Sequence, residues 1–452
     1  MTAKELSGDD ALDFLGHSLE RLGVGAWELY LSHTRSLSVE AEEGKVESLS
    51  EALLHGVGVR VLRRGAPGFS YSTSFAPSSL EEAAEKAVAA ARVATPEASF
   101  SFPAPAAQPR AKLGIYDPQI IRIPREKKVS LALSLEEAAR RMDPRISAVR
   151  NASYSEEIES IRLRSSLGVD FAFQESSLST SVLVVATQGK HSEMGFDFEN
   201  ARCWNGLDAK AVAKRAAEKA CQQLGAKRIK GRSGPVILEN NAACEVLEVL
   251  SSSFCADQVR KGKSSLAGKR GKKILAKTIT LVDDGLLAGG LASAPFDDEG
   301  VASQRTVLVQ SGRLEGFLYD TAAARREGEK STGNAVREDG FRSIPGVGPT
   351  NFYFRKGRRP LRGLLSDMGE GLLVTELLGV HTADPVTGDF SFGCSGFVVR
   401  REKKAGPFNG MAISGNLFDV LGRVEAVGSD LRFSGGFGSP SLLIGKVDVS
   451  GE

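Results

Sequence analysis

Twice in the first 225 residues, a stretch with helical spacing is followed by segments that alternate apolar and polar residues, and then by a second helical stretch. Leu12, Leu15, Leu19 and Leu22 fall at helical spacing, with Asp9 or Asp10 placed to cap the start and Gly23 to end it. Trp27, Leu29 and Leu31 alternate, as do Val57, Val59 and Val61, so strands follow. Ser78 with Glu81 has the pattern of a capping box ahead of an Ala-rich helix running to about Val93. The order then recurs. Pro124 suits the first turn of a helix to about Met142, residues 161–163, 169–173 and 182–185 read as antiparallel strands, and a helix spans about 208–224 before Gly225. No sequence-level repeat accompanies this order, so any kinship between the two layers lies in their arrangement.

Between the layers, Pro96, Pro103, Pro105 and Pro109 stand among Ala, Ser and Gln and mark a linker over 96–123. From Gly234 the texture changes. One helical stretch, about 241–259, precedes a long region of short strands separated by Gly and Pro turns, which points to a twisted or barrel-like β domain. The 49 glycines favour turn-rich β structure over a helical bundle. The expected fold class is α+β: helix and antiparallel-sheet layers at 1–95 and 124–230, then a large, mainly β, barrel-like domain at 231–452.

Several function classes lose support. With 58 basic and 56 acidic residues the net charge is +2, which gives no electrostatic argument for nucleic acid. The opening MTAKELSGDD lacks the apolar run of a signal peptide, and no apolar stretch reaches spanning length, so no membrane role is expected. Five widely spaced cysteines read as reduced thiols of a cytoplasmic protein.

Metal and nucleophile signatures are sparse. His17, His33, His55, His191 and His381 are scattered, no C-x-x-C pair occurs, and there is no G-x-S-x-G elbow. Arg260, Lys261, Lys263, Lys269, Arg270, Lys272, Lys273 and Lys277 form a cluster that no acidic residue interrupts between Asp257 and Asp283. It reads either as an anion or nucleic-acid site or as a mobile, solvated loop; the interspersed glycines and the lack of interleaved aromatics favour the loop.

The second half carries an ordered series of motifs. Arg305-Thr306-Val307-Leu308-Val309 precedes Gly316-Phe317-Leu318-Tyr319-Asp320, and Lys330-Ser331-Thr332-Gly333-Asn334-Ala335 precedes Arg342-Ser343 and Gly348-Pro349-Thr350-Asn351. Gly379-Val380-His381-Thr382, Asp384-Pro385-Val386-Thr387-Gly388-Asp389, Ser414-Gly415-Asn416-Leu417 and Val427-Gly428-Ser429-Asp430-Leu431 follow. In order and spacing this series resembles the TldD/PmbA family, specifically its PmbA (TldE) branch.

The resemblance implies a cytosolic two-subunit peptidase acting in proteolysis or maturation of peptides. Its TldD-type subunit holds zinc through an H-E-x-x-x-H helix and a later Cys; the PmbA-type subunit helps enclose the cavity. An older association with DNA gyrase gave the family another name. In this chain the motif falls on Leu247, Glu248 and Ser252, and no Cys stands between Leu431 and Ser439. Leu has no lone pair and a serine hydroxyl is a poor zinc ligand, so the chain is expected to carry no cofactor, with zinc in a TldD-type partner. Asn334, Arg342, Thr350, Asn351 and His381 are the candidate lining of a peptide cleft. Asn334, Thr350 and Asn351 could equally satisfy buried backbone groups. Two other readings stay open: a hydrolase in its own right using His381 with Asp384 or Asp389, and a nucleic-acid or gyrase-associated binder using the basic loop. A homodimer is the alternative to the heterodimer.

Overall fold

The computed structural model describes residues 5–107 and 111–451; residues 1–4 of the polar amino-terminal stretch and Pro109 lie outside them. Helix α1 (Gly8–Arg21) starts two or three residues earlier than a cap at Asp9 or Asp10 would dictate, because the Ser7 hydroxyl accepts from the Asp10 amide. Strands β1 (Ala26–Glu42), β2 (Lys45–Arg63) and β3 (Ala66–Ser72) follow, then α2 (Pro77–Val93). The Ser78 capping box does not form: Pro77 takes the first helical position, so Ser78 already sits inside the first turn. The second layer repeats the order with α3 (Arg125–Arg141), β4 (Ile146–Ser165), β5 (Asp170–Gln188), β6 (His191–Ala201) and α4 (Ala209–Gln223), which Asp208 caps. These strands far outrun the short alternations in the sequence, because serines and glutamates on their open face hide the pattern.

The two layers are one sheet. Strand order is β3-β2-β1-β4-β5-β6, and the antiparallel β1–β4 pair joins the halves into a half-barrel. All four helices cover one face: Leu29, Val57 and Val59 pack with α1 and α2, and Leu37, Val39 and Val184 with α3 and α4. Each half closes in the same manner. A Cβ on Gly68 of β3 would lie 2.1 Å from the Ala87 carbonyl of α2, and one on Gly195 of β6 would lie 2.2 Å from the Ala216 carbonyl of α4. Only glycine permits these approaches.

The Pro-rich segment is no free spacer. Phe102, Leu113 and Ile115 are buried, and Phe100 and Phe102 both lie against the Arg60 guanidinium, 5.3 and 5.0 Å from ring centre to Cζ. Its aromatic and aliphatic residues outweigh the solvent preference of its prolines.

The carboxy-terminal region opens with β7 (Arg232–Leu238) and α5 (Asn240–Ser251). The long helix expected to 259 instead breaks at Ser252 into a 3-10 turn, Ser252–Phe254, and a short helix, Ala256–Arg260. Strand β7 pairs in parallel with Gly371–Leu378, and Asp389–Arg400, Lys403–Asn416 and Leu442–Ser450 complete a five-stranded barrel that closes back on β7. A second sheet contains Leu281–Asp284, Phe352–Phe354 and the hairpin strands Arg432–Ser434 and Phe437–Ser439. One core joins barrel, sheet and α5 through Val246, Leu247, Phe254, Phe352 and Phe392. The α+β class, with a barrel in the second half, matches the expectation.

Contact between the two regions is ionic at its centre. Glu28 of β1, Arg60 of β2, Glu299 and Arg337 are all at most 7% exposed. Arg60 donates to Glu299 at 2.9 Å and lies 3.6 Å from Glu28; Arg337 donates to Glu28 and covers the Tyr30 ring at 4.6 Å. Gly56 and Gly58 admit Phe341 to the same seam, since a Cβ on Gly56 would meet its ring at 2.2 Å.

Candidate functional site

Helix α5 is where the sequence resemblance places the family's metal, and three distant segments gather around it. The hairpin at 432–439 packs along it, the turn Val380–Thr382 with His381 lies against it, and Glu376 of Gly371–Leu378 approaches Glu245. The fold therefore brings His381 to the helix that carries Leu247, Glu248 and Ser252. It does not supply a ligand set. Leu247 is fully buried in the core, Glu248 is exposed, and Ser252 ends the helix. Facing the hairpin is Cys244, whose Sγ donates to the Arg432 carbonyl at 3.4 Å. Burial pushes this thiol up to about 12, so it stays protonated. Asp384 accepts from the Val386 and Thr387 amides at 2.8 and 3.2 Å, and Asp389 accepts from Asn416 at 2.9 Å. Both carboxylates are thus committed to shaping the loop. Among the described residues no three His, Cys, Asp or Glu side chains converge as a metal group. The residues present do not fit zinc.

Asn334, Thr350 and Asn351 meet elsewhere, around two buried aspartates. The Asn334 amide donates to Asp283 at 2.8 Å, and the Thr350 amide and hydroxyl donate to it at 2.7 and 2.8 Å. Asn351 donates to the Asp284 carbonyl at 2.7 Å. Burial pushes Asp283 up to about 6 despite these donors. Arg342 lies in the seam with the first sheet, over the Phe341 ring at 5.2 Å. The basic segment is anchored, not the mobile loop expected: Leu266 and Leu275 are buried, Lys261 pairs with Asp257 at 2.8 Å, and Arg270 pairs with Glu329 at 2.6 Å.

Sequence reading missed the acidic rim of α5. Glu245 is held at about 7, first by burial and then by repulsion from Glu376 and Glu248. A carboxyl whose folded pKa exceeds its unfolded value stabilises the fold when protonated, and that contribution is lost as pH rises from about 4.5 through about 7. Glu245→Gln does not titrate. Its stability gain over the parent should therefore grow across that window to ~1–2 kcal/mol at pH 8, after allowing for solvent screening. Urea midpoints at pH 5 and pH 8 check this; an equal gain at both would mean the carboxyl does not titrate there.

Also missed was the open face of the first sheet. Ser50, Ser38, Ser155, Ser179 and Asn200 stand in one row straight across five strands. The next rows run Ala52, Ser36, Glu157, Ser177 and Leu54, Thr34, Glu159, Glu175. A cavity of about 240 Å³ lies on these rows, lined by Ser36, Ser38, Ser50, Ser155, Glu157 and Ser177. Glu159 sits directly opposite Glu175 and is held at about 7, by burial first and then by Glu175, Glu157 and Asp298. A clamp ties this sheet to the α5 hairpin: fully buried Asp197 of β6 accepts from Arg432, and from Arg215 at 2.8 Å, with Lys219 at 3.6 Å.

A half-barrel sheet joined to a closed barrel through an ionic seam, with a polar face and an acid-rimmed helix, defines a two-part α+β architecture. Family models match all three parts: PmbA/TldA metallopeptidase domain 1 over residues 27–91, the central domain over 118–224 and the C-terminal domain over 231–451. The chain belongs to the TldD/PmbA family. It is similar to an uncharacterised protein of Methanocaldococcus jannaschii, 30% identical over 417 residues, covering 92% of this chain and 94% of that one. It is 26% identical over 434 residues to the metalloprotease PmbA of Escherichia coli O157:H7, covering 94% and 92% of the two chains. A Thermotoga maritima crystal structure, described as a candidate modulator of a DNA gyrase, superposes with a TM-score of 0.90 at 26% identity, covering 98% of this chain and 100% of that one. TldE from Thermococcus kodakarensis shares the fold, with a TM-score of 0.87 at 23% identity and the same coverage.

Proposed function

We propose that this chain is the non-catalytic, PmbA/TldE-type subunit of a two-subunit peptidase, lining a cavity whose zinc belongs to a TldD-type partner. The observation that carries the reading is the donor chemistry of α5. A buried leucine, an exposed glutamate and a helix-ending serine occupy the ground where hydrolytic zinc would need about three ligands. Glu248, without a metal-bound water to activate, acts only as a charge on the rim.

Two features support a partner and a peptide substrate. Strand β3 pairs with β2 only from Val57 to Arg63, so residues 45–56 keep a free edge, and Val46, Leu49, Leu53 and Leu54 on it are 39–70% exposed. Such an edge needs covering, which a second subunit of the same fold provides. The serine rows offer hydroxyls to an extended main chain whatever its side chains, which suits unfolded or precursor peptides.

Elemental mass spectrometry of the untagged chain tests the reading. Essentially no zinc, no peptide hydrolysis alone and a stable complex with a TldD-type chain are expected. About one zinc per chain, or hydrolysis by the lone chain that is lost in His381→Ala, would instead make the protein a hydrolase in its own right.

A further inference from the structure

On the barrel, away from the α5 helix, three backbone segments enclose an open groove of about 670 Å³, and its charge is segregated. Lys273, Lys277, Arg423 and Lys446 line it against one carboxylate, Glu425, in a chain whose net charge is only +2. Elsewhere in the same basic segment, Lys261 and Arg270 have carboxylate partners. Among the described residues Lys273, Lys277 and Lys446 have no ion pair, and the Arg423 guanidinium donates to the Lys446 carbonyl at 3.3 Å with no carboxylate partner.

The walls are fixed by their own backbone. The Ala276 amide donates to the Leu421 carbonyl at 3.2 Å, the Thr278 hydroxyl to the Val424 carbonyl at 2.8 Å, and the Gly445 amide to the Arg423 carbonyl at 3.1 Å. Gly445 and Lys446 fall in a ladder irregularity between Ile444 and Val447, and Lys446 is exposed. Glu425 lies over Gly445, where any Cβ would come within 2.2 Å of its Oε1, so the one acid is held against the wall.

We propose that this groove binds a short chain of phosphate groups, as in an oligophosphate or the triphosphate of a nucleotide. Three ammonium groups and a guanidinium fork around one groove exceed what a single carboxylate can engage. Adjacent phosphates present several charges at that spacing, and the Arg423 fork matches phosphate geometry. The groove volume is within the range of small-ligand sites. The site is independent of the peptidase reading, since none of its residues lies on α5 or the serine rows.

Calorimetric titration of the full chain with sodium tripolyphosphate at low ionic strength is the test. Saturable one-to-one binding is expected, weakening by roughly tenfold on raising salt to physiological strength. Arg423→Ala with Lys446→Ala should weaken it by a further factor of roughly ten or more, while Lys263→Ala with Lys269→Ala should leave it unchanged. ATP binding equally well would show that the phosphate chain alone is read; tighter ATP binding would add the nucleoside to the ligand. Absence of saturable binding, equal loss in both double variants, or equally tight binding of an oligoglutamate would overturn the proposal.

Discussion

Arg60→Leu should lower the stability of the chain by ~3–5 kcal/mol, the usual cost of removing one partner from a buried ionic group. Arg60 is 2% exposed, its guanidinium meets Glu299 at 2.9 Å and Glu28 at 3.6 Å, and it lies against both Phe100 and Phe102. Leucine fills much of the volume but leaves two carboxylates buried, one of whose oxygens, Glu28 Oε2, already lacks a partner among the described residues. Burial already raises the Glu28 carboxyl against the pull of Arg60 and Arg337, and losing Arg60 should raise it further. The loss should therefore be larger at pH 8 than at pH 5, read from urea midpoints. A shift below ~1 kcal/mol at both would mean that water, not Arg60, solvates these acids.

Asp197→Asn should cost ~2–3 kcal/mol and loosen the α5 hairpin, because charge-assisted hydrogen bonds from Arg432 and Arg215 become neutral ones. Burial pushes Asp197 upward, but Arg432, Lys219 and Arg215 outweigh it and hold the carboxyl below its ordinary value. A depressed carboxyl contributes stability above its unfolded pKa and loses it as pH falls through the folded one. The parent and variant should thus converge only under acid conditions, below about pH 4. Hydrogen exchange at residues 432–439 is the second readout. Faster exchange there, with the half-barrel unchanged, would mark Asp197 as the clamp, whereas uniform acceleration would make it merely part of the global fold.

The clamp, the seam and the serine rows share a reason for escaping the sequence. Glu28 stands between Trp27 and Leu29, and Arg60 between Val59 and Val61; the alternation that revealed the strands also assigned these two to the polar side. A polar side reads as solvent, yet here the carboxy-terminal region covers one end of it. Likewise, Ser38, Ser155 and Ser179 are unremarkable singly and form a row only through register, which sequence spacing does not encode. The start of α5 was legible in the helical spacing after Gly234, although its break at Ser252 was not. The barrel was legible too, through its Gly- and Pro-bounded strands. The roles of Asn334, Thr350 and Asn351 needed Asp283 and Asp284, more than fifty residues upstream, to become visible.

The paired halves of the first sheet carry a consequence for its origin. Each half, helix–three strands–helix, ends on a glycine pressed to an alanine helix and pairs strand to strand with its counterpart through β1 and β4. A polypeptide containing one half alone would expose β1 or β4 as a long adhesive margin, best relieved by a second copy about a twofold axis. Tethering the two within one chain replaces that encounter with an intramolecular one at high effective concentration. It also lets the halves diverge, so that one could acquire the arginine of the seam and the other the aspartate of the clamp.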